Sequence, residues 1–272
     1  MRCFYHDDLD GRCAAWIVTL RHNDCECYAI DYGQEFPLDS VDKDEVVYIV
    51  DYSLDPKVMQ RLLDKTANVV WIDHHKSAIE SYADFPEDIA GVRDTGDAAC
   101  VLTWKYLFPG VDTPRAVLWV GDKDTWKWEF GEDTADFCNG AACYDTSPME
   151  GFWSSVVDDE DALMYVNMCG QVVGDYKRQF YREMLDSIGF EATLDGEKCL
   201  VLNAARVNSE AFGERVEDYP FVVAFYYDGE QYHFSLYSTK VDVSEVAKKH
   251  GGGGHPGASG FQSTTLPFKV KQ

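Results

Sequence analysis

The chain has 272 residues, of which 46% are apolar and 26% charged, a composition typical of one large or two modest globular domains. Its 48 acidic and 24 basic residues give a formal net charge of −24 at pH 7, which argues against a protein that coats long nucleic acids, because phosphate neutralisation needs surplus Lys and Arg. No apolar run is long enough to span a membrane, and the acidic N-terminus is unlike a signal peptide. We therefore expect no membrane partner. The nine cysteines form no CxxC pair, so we also expect a reduced, cytoplasmic protein.

The first half of the chain alternates strand and helix patterns. The predicted strands are 2–5, 45–50 and 68–72, and the predicted helices are 11–22, 56–65, 98–108 and 114–120. Continuous apolar strands that alternate with helices are typical of a parallel sheet covered on both faces.

The composition changes after a long helical segment at 158–188. It is followed by predicted strands at 197–203, 220–227 and 231–238, a helix at 241–250, and four consecutive glycines. Asp228-Gly229, between two of these strands, is a strong hairpin signal. We therefore predict an α/β protein with an N-terminal parallel-sheet domain at 1–157, a helical connector at 158–188 and a smaller α/β domain at 189–272.

Acidic and imidazole side chains follow each predicted parallel strand. In chain order they are His6, Asp8 and Asp10 after the first strand, Asp51 after the second, and Asp73, His74 and His75 after the third. Asp122 follows a later apolar stretch, with Asp124 two residues beyond it. Because the carboxyl ends of parallel strands line the ligand crevice of such sheets, we expect these side chains to converge.

Several carboxylates and imidazoles in one crevice indicate a metal centre. Without a cation, the like charges would repel one another and shift their pKa values strongly. Carboxylate and imidazole ligands without thiolate suit Mn²⁺, with Mg²⁺, Fe²⁺ or Co²⁺ as substitutes. The ligand number is sufficient for two ions, and paired ions serve in-line displacement at phosphorus.

These motifs resemble those of the DHH phosphoesterase superfamily, and the resemblance covers essentially the whole chain. The superfamily includes RecJ-type exonucleases, nanoRNases, cyclic-dinucleotide phosphodiesterases, exopolyphosphatases and family II inorganic pyrophosphatases. His6–Gly11 resembles the first motif, Asp51 the second and Asp73–His75 the third. Asp122 resembles the fourth; Asp124-Thr125 resembles a variant of it, and we prefer Asp122.

The resemblance also implies individual roles, with the active site in the cleft between the two lobes. The implied metal ligands are His6 and Asp8 for one ion, Asp10, His74 and Asp122 for the other, and Asp51 as the bridge. His75 would contact the scissile phosphate, and Asp73 would orient a histidine. The run Gly252, Gly253, Gly254 and His255 resembles the GGGH motif of the DHH-associated C-terminal domain and would bind a substrate phosphate.

The acidic charge and the lack of further nucleic-acid-binding domains favour a small substrate. We predict a Mn²⁺-dependent phosphodiesterase that converts very short oligonucleotides or linear dinucleotides, such as pGpG, to mononucleotides, with 3′-phosphoadenosine 5′-phosphate as a further candidate substrate. Two alternatives stay open, a cyclic-dinucleotide phosphodiesterase and a pyrophosphate or polyphosphate hydrolase. The resemblance also leaves a homodimer open. Trp126 and Trp128 flank the fourth motif, and for both we favour packing over base stacking.

Overall fold

Four short strands form a parallel sheet in a computed structural model that describes residues 1–270. The strands are β1 (Arg2–His6), β2 (Glu26–Ile30), β3 (Val47–Val50) and β4 (Val69–Ile72), and their order is β2-β1-β3-β4. The sequence predicted three of them to within two residues. It missed β2, because this edge strand is mostly exposed and lacks a continuous apolar run.

Helices cover both faces of this sheet. They are α1 (Leu9–Arg21), α2 (Pro56–Lys65), α3 (Lys76–Ser81), α4 (Ala99–Leu107), α5 (Arg115–Asp124), α6 (Glu132–Ala141) and α7 (Phe152–Asp158). Tyr5 and Val50 pack in one apolar cluster with residues of α1, α4 and α5, whereas Phe4 and Ile49 pack in a second cluster with residues of α2. The predicted parallel sheet, buried on both faces, is therefore confirmed.

Helix α8 (Glu160–Ile188) corresponds to the predicted helical segment, and the chain divides into two units within it, after Gly174. Leu163 and Val166, in its first half, belong to the apolar core of the N-terminal unit. Leu185, near its end, packs with Leu200 of the second unit. The boundary between the units thus lies inside the helix, whereas we expected a separate connector between two domains. No helix within residues 1–270 combines the length and apolarity needed to cross a membrane.

The C-terminal unit is built on a mixed seven-stranded sheet. Its strands are β5 (Phe190–Leu194), β6 (Glu197–Asn203), β7 (Phe221–Tyr227), β8 (Tyr232–Tyr237), β9 (Gly253–His255), β10 (Ala258–Ser263) and β11 (Lys269–Val270), in the order β11-β5-β6-β7-β8-β10-β9. Only β6 and β7 pair in parallel. Helix α9 (Val243–Lys249) precedes the glycine run. The predicted Asp228-Gly229 hairpin joins antiparallel β7 and β8, with Gly229 at a φ of +109°.

Candidate active site

Strand register brings three of the predicted residues to one edge of the parallel sheet. Tyr5, Val50 and Ile72 pair side by side across β1, β3 and β4. The residues that follow them are His6, Asp51 and Asp73. Their convergence is a consequence of parallel pairing, because each strand then ends at the same edge.

The possible metal ligands form three groups, two of which include Asp51. One group consists of His6, Asp8 and Asp51, another of Asp10, His74 and Asp124, and a third, overlapping group of Asp51, His74 and His75. Asp51 Oδ2 lies 3.8 Å from His6 Nδ1, and Asp51 Oδ1 lies 3.3 Å from His74 Nε2. The two Asp51 oxygens therefore face different histidines.

Asp51 itself is held in an unfavourable state. Its side chain is 1% exposed, and neither carboxylate oxygen has a hydrogen-bond partner among the described residues. Its backbone also has a φ of +53°, a left-handed conformation that costs a residue with a Cβ on the order of 1 kcal/mol. A buried carboxylate without a partner is costly unless a cation compensates it. The donor set and the orphaned oxygens together fit divalent cations.

The crowded carboxylates retain protons when no cation is present. Burial raises the pKa of Asp51 to about 8. Burial also raises the pKa of Asp10 and of Asp124, and neighbouring negative charges add to both shifts. His6, which faces Asp51 and Asp8, has its pKa raised to about 10. Binding of divalent cations would therefore release protons from this group.

Asp10 is held by the start of helix α4. Its two carboxylate oxygens each accept a hydrogen bond from a backbone N–H, of Ala99 and of Cys100, at 2.8 Å. These N–H groups lie in the first turn of the helix and have no partner within it. Asp10 Oδ2 also lies 3.8 Å from His74 Nε2, so the helix fixes this carboxylate toward the second ligand group.

Asp73 is fully buried and organises the segment that follows β4. Its Oδ1 accepts hydrogen bonds from the backbone N–H groups of His74 and His75, at 2.7 and 3.1 Å. The same oxygen lies 2.7 Å from His75 Nδ1. This hydrogen bond raises the pKa of His75 to about 9. Asp73 is thus placed to orient His75.

Asp122, the residue that we preferred for the fourth motif, lies outside the ligand groups, and Asp124 takes that place. Asp124 Oδ2 is 3.2 Å from His74 Nε2. Two residues along helix α5 correspond to a rotation of roughly 200°, so the two carboxylates face opposite ways. The structure thus places Asp124, and not the preferred Asp122, among the possible ligands, because spacing from the apolar stretch does not tell which face of a helix meets the cluster.

The Asp122 carboxylate instead holds the loop after helix α5. It accepts hydrogen bonds from the backbone N–H groups of Glu129 and Phe130, at 2.8 and 3.2 Å, and from the hydroxyl of Thr134. Burial alone would raise the pKa of Asp122, but these hydrogen bonds outweigh it and lower the pKa. Asp122 is therefore an ionised, fully hydrogen-bonded loop anchor.

Two residues near the ligand groups escaped the sequence interpretation. Asp31 directly follows the missed strand β2, and its Oδ1 lies 3.7 Å from His6 Nε2. The Tyr32 ring lies 5.5 Å from the His6 ring and 6.2 Å from the His75 ring, between centroids. Asp31 could have been predicted in the same way as Asp51 and Asp73, as an acidic residue at the end of a strand. It was missed because strand β2 itself was not recognised.

The predicted phosphate-binding residues lie in the C-terminal unit, on the edge strand β9 and just before it. A Cβ at Gly252 would lie 2.1 Å from the carbonyl oxygen of Gly260, and a Cβ at Gly254 would lie 2.7 Å from Ser259 Cα. A Cβ at Gly253 would meet no atom within 4 Å. Close packing thus explains two glycines, whereas the missing side chain of Gly253 leaves open space.

The DHHA1 domain family matches residues 207–270, which include the glycine run. Among curated proteins, Uncharacterized protein R106 of Acanthamoeba polyphaga mimivirus is 22% identical over 259 residues, covering 89% of this chain and 60% of the relative. Oligoribonuclease NrnB of Bacillus subtilis (strain 168) is 23% identical over 310 residues, covering 98% of this chain and 74% of the relative. The chain therefore spans about three fifths of the length of the first relative.

Solved structures share the fold along nearly the whole chain. The pGpG-specific phosphodiesterase PggH from Vibrio cholerae has a TM-score of 0.54 and 11% identity, covering 97% of this chain and 92% of that one. Exonuclease RecJ bound to manganese has a TM-score of 0.50 and 14% identity, covering 96% of this chain and 84% of that one. At such identities the similarity establishes a common fold.

Proposed function

We propose that this protein is a member of the DHH phosphoesterase superfamily and a two-metal phosphodiesterase that hydrolyses very short oligonucleotides and linear dinucleotides to mononucleotides. The observation that carries the proposal is the state of Asp51. Its two buried oxygens have no hydrogen-bond partner among residues 1–270, and one lies nearest to His6 and the other nearest to His74. A buried carboxylate that nothing compensates is costly. A pair of bound cations would supply that compensation.

We assign His6 and Asp8 to one cation, Asp10, His74 and Asp124 to the other, and Asp51 to both. When bound, divalent cations supply Lewis-acid chemistry and offset the negative charge of a phosphate. Mn²⁺ is the ion that we propose, because oxygen and imidazole ligands without thiolate suit it. A neighbour in the fold, RecJ, binds manganese, which supports the choice.

The protein's own acid chemistry is assigned to His75. Asp73 accepts a hydrogen bond from its Nδ1, and this hydrogen bond raises the pKa of His75 and favours the protonated ring. The proton on Nε2 can then pass to the leaving oxygen of a cleaved phosphodiester, which makes His75 the candidate general acid. Gly253 and His255, on the exposed edge strand β9, are the proposed contacts to a further substrate phosphate.

A short substrate is favoured by the charge of the chain and by its relatives. With 24 basic and 48 acidic residues, the protein has little means to neutralise a long phosphate backbone. One sequence relative carries the name oligoribonuclease, and one structural neighbour is described as specific for pGpG. We therefore propose substrates of two to about five nucleotides, for which few phosphates need compensation.

The test is hydrolysis of a substrate panel with Mn²⁺ and with EDTA. The panel contains pGpG, RNAs of about five and about 24 nucleotides, cyclic di-AMP, 3′-phosphoadenosine 5′-phosphate and pyrophosphate. Release of mononucleotides from pGpG and the shorter RNA, dependent on Mn²⁺ and much slower on the longer RNA, is the expected result. Cleavage of the cyclic dinucleotide or of pyrophosphate alone would replace the substrate, and no cleavage of any member would refute the function.

A further inference from the structure

Trp126 and Trp128 belong to the loop that directly follows Asp124, here called the tryptophan loop (residues 125–130). Trp126 is 63% exposed, whereas Trp128 is half-buried. Both have a φ of +55°, in the left-handed region that bulky residues rarely adopt. For Trp126, the packing role favoured from the sequence is therefore wrong. This residue combines backbone strain with an exposed ring, so its position is not explained by the protein's own core.

The loop is nevertheless held firmly in place. Besides anchoring Glu129 and Phe130, Asp122 accepts the backbone N–H of Lys127 on its carbonyl oxygen at 3.1 Å. The ammonium of Lys127 lies 3.2 Å from Asp97. The Trp128 ring meets the Trp126 ring edge-on, with centroids 5.7 Å apart. The exposed indole is thus presented on a fixed loop, which lowers the entropy cost of binding a ligand.

The tryptophan loop begins directly after a possible metal ligand, Asp124. Trp126 follows Asp124 by two residues, so their Cα atoms are at most about 7.6 Å apart. Resting on the proposed function, we infer that Trp126 is a stacking platform for a nucleobase of the substrate, braced by Trp128. Stacking on an indole needs no positive charge and tolerates every base. It therefore gives an acidic protein a means to hold nucleotides without surplus Lys and Arg.

The inference is tested with Trp126→Asn and Trp126→Phe. Asn tolerates the left-handed backbone, so Trp126→Asn should not lower the melting temperature. It should raise the KM for pGpG roughly 5- to 100-fold, which equals about 1–3 kcal/mol at ~1.4 kcal/mol per tenfold change, with kcat nearly unchanged. Trp126→Phe should restore most of the affinity. Tyr165→Ala is the matched control, because Tyr165 is an equally exposed aromatic residue on helix α8.

A comparison of ligands with and without a base separates stacking from other roles. Calorimetric binding of GMP should weaken in Trp126→Asn, whereas binding of ribose 5-phosphate should not change. Equal losses for both ligands, an unchanged affinity for GMP, or a lowered melting temperature would each overturn the inference. If the wild-type protein cleaves no nucleotide substrate, the proposed function fails, while the GMP measurement still decides the role of Trp126.

Discussion

The two units of this protein use their sheets in different ways. In the N-terminal unit all four strands are parallel, so their carboxyl ends share one edge, and titratable side chains collect there. In the C-terminal sheet most neighbours are antiparallel and end at opposite edges. Every group of possible metal ligands within residues 1–270 belongs to the N-terminal unit. Parallel topology concentrates side-chain chemistry, whereas the antiparallel sheet offers an exposed strand edge.

The units also differ in how their candidate functional residues relate to stability. In the N-terminal unit Asp51 is buried, has no hydrogen-bond partner among the described residues and lies at positive φ, so its proposed function opposes stability. In the C-terminal unit a Cβ at Gly253 would meet no atom within 4 Å, so packing does not require a glycine there. Substitutions at Asp51 should therefore change stability and activity in opposite directions, and those at Gly253 should change activity alone.

Asp51→Asn should have the largest effect. Loss of the shared ligand should lower hydrolysis on the order of 10³-fold and reduce Mn²⁺ binding. At a pH above the raised pKa of Asp51, the metal-free variant should melt at a higher temperature than wild type, because an uncompensated buried charge is removed. Calorimetry with EDTA and titration with Mn²⁺ measure both effects. A fully active variant would contradict the assignment of Asp51.

Asp124→Asn and Asp122→Asn form a matched pair on one helix. Asp124→Asn should lower activity on the order of 10²-fold and weaken Mn²⁺ binding, with an unchanged or higher melting temperature of the metal-free protein. Asp122→Asn should destabilise the protein by about 1–3 kcal/mol, because three donors lose an ionised acceptor, while the number of bound Mn²⁺ ions stays the same. The reverse pattern would restore Asp122 as the fourth-motif ligand.

The pH dependence should have opposite signs with and without metal. The pKa of Asp51 is raised from 3.8 to about 8, so the folded state holds a proton that the unfolded state has released, and metal-free stability falls as pH rises through this window. The stabilisation from His6 and His75, with pKa values of about 10 and about 9, is present below pH 6.5 and lost at higher pH. Mn²⁺ affinity should instead rise with pH, roughly tenfold per unit for each displaced proton. Melting temperatures with EDTA and Mn²⁺ titrations across pH 5 to 9 measure the two trends; parallel trends would contradict them.

Gly253→Ala and Gly252→Ala test the exposed edge of the C-terminal sheet. Gly253→Ala should keep the melting temperature and raise the KM for pGpG about tenfold, because a methyl group would fill the open space proposed for phosphate. Gly252→Ala should destabilise the protein by about 1–3 kcal/mol through overlap with the neighbouring strand. His255→Ala should resemble Gly253→Ala. An unchanged KM in both would remove strand β9 from substrate binding.

Asp31→Asn should have the smallest effect. Asp31 is exposed and 3.7 Å from His6 Nε2, so it can only orient that imidazole weakly. We expect Mn²⁺ affinity to fall about threefold. This loss is smaller than the usual loss on removing a residue that hydrogen-bonds a metal-binding histidine. Titration with Mn²⁺ should detect this change, with Asp24→Asn on the loop before β2 as the control. A loss as large as that of Asp124→Asn would make Asp31 a direct ligand.

Local sequence patterns were sufficient to predict the parallel sheet and the residues that its strands deliver. Strands β1, β3 and β4 are continuous apolar runs, and His6, Asp51 and Asp73 follow from their ends and from parallel pairing. The resemblance to the DHH superfamily rested on these residues and on the glycine run; the DHHA1 family matches residues 207–270, and solved structures share the fold. The exposed edge strand β2 had no such pattern, so Asp31 was missed with it.

The sequence by itself determined which chemical groups gather at the sheet edge. The periodicity of each strand is a local property of its own residues, and parallel pairing then brings the strand ends to one edge. Only the tertiary structure decided between Asp122 and Asp124, since helix α5 extends beyond its apolar stretch and its rotation against the sheet selects the face. Only the tertiary structure determined that the Trp126 side chain is exposed to solvent, because side-chain burial depends on distant parts of the chain. Those choices depend on packing between elements, which no short stretch of sequence contains.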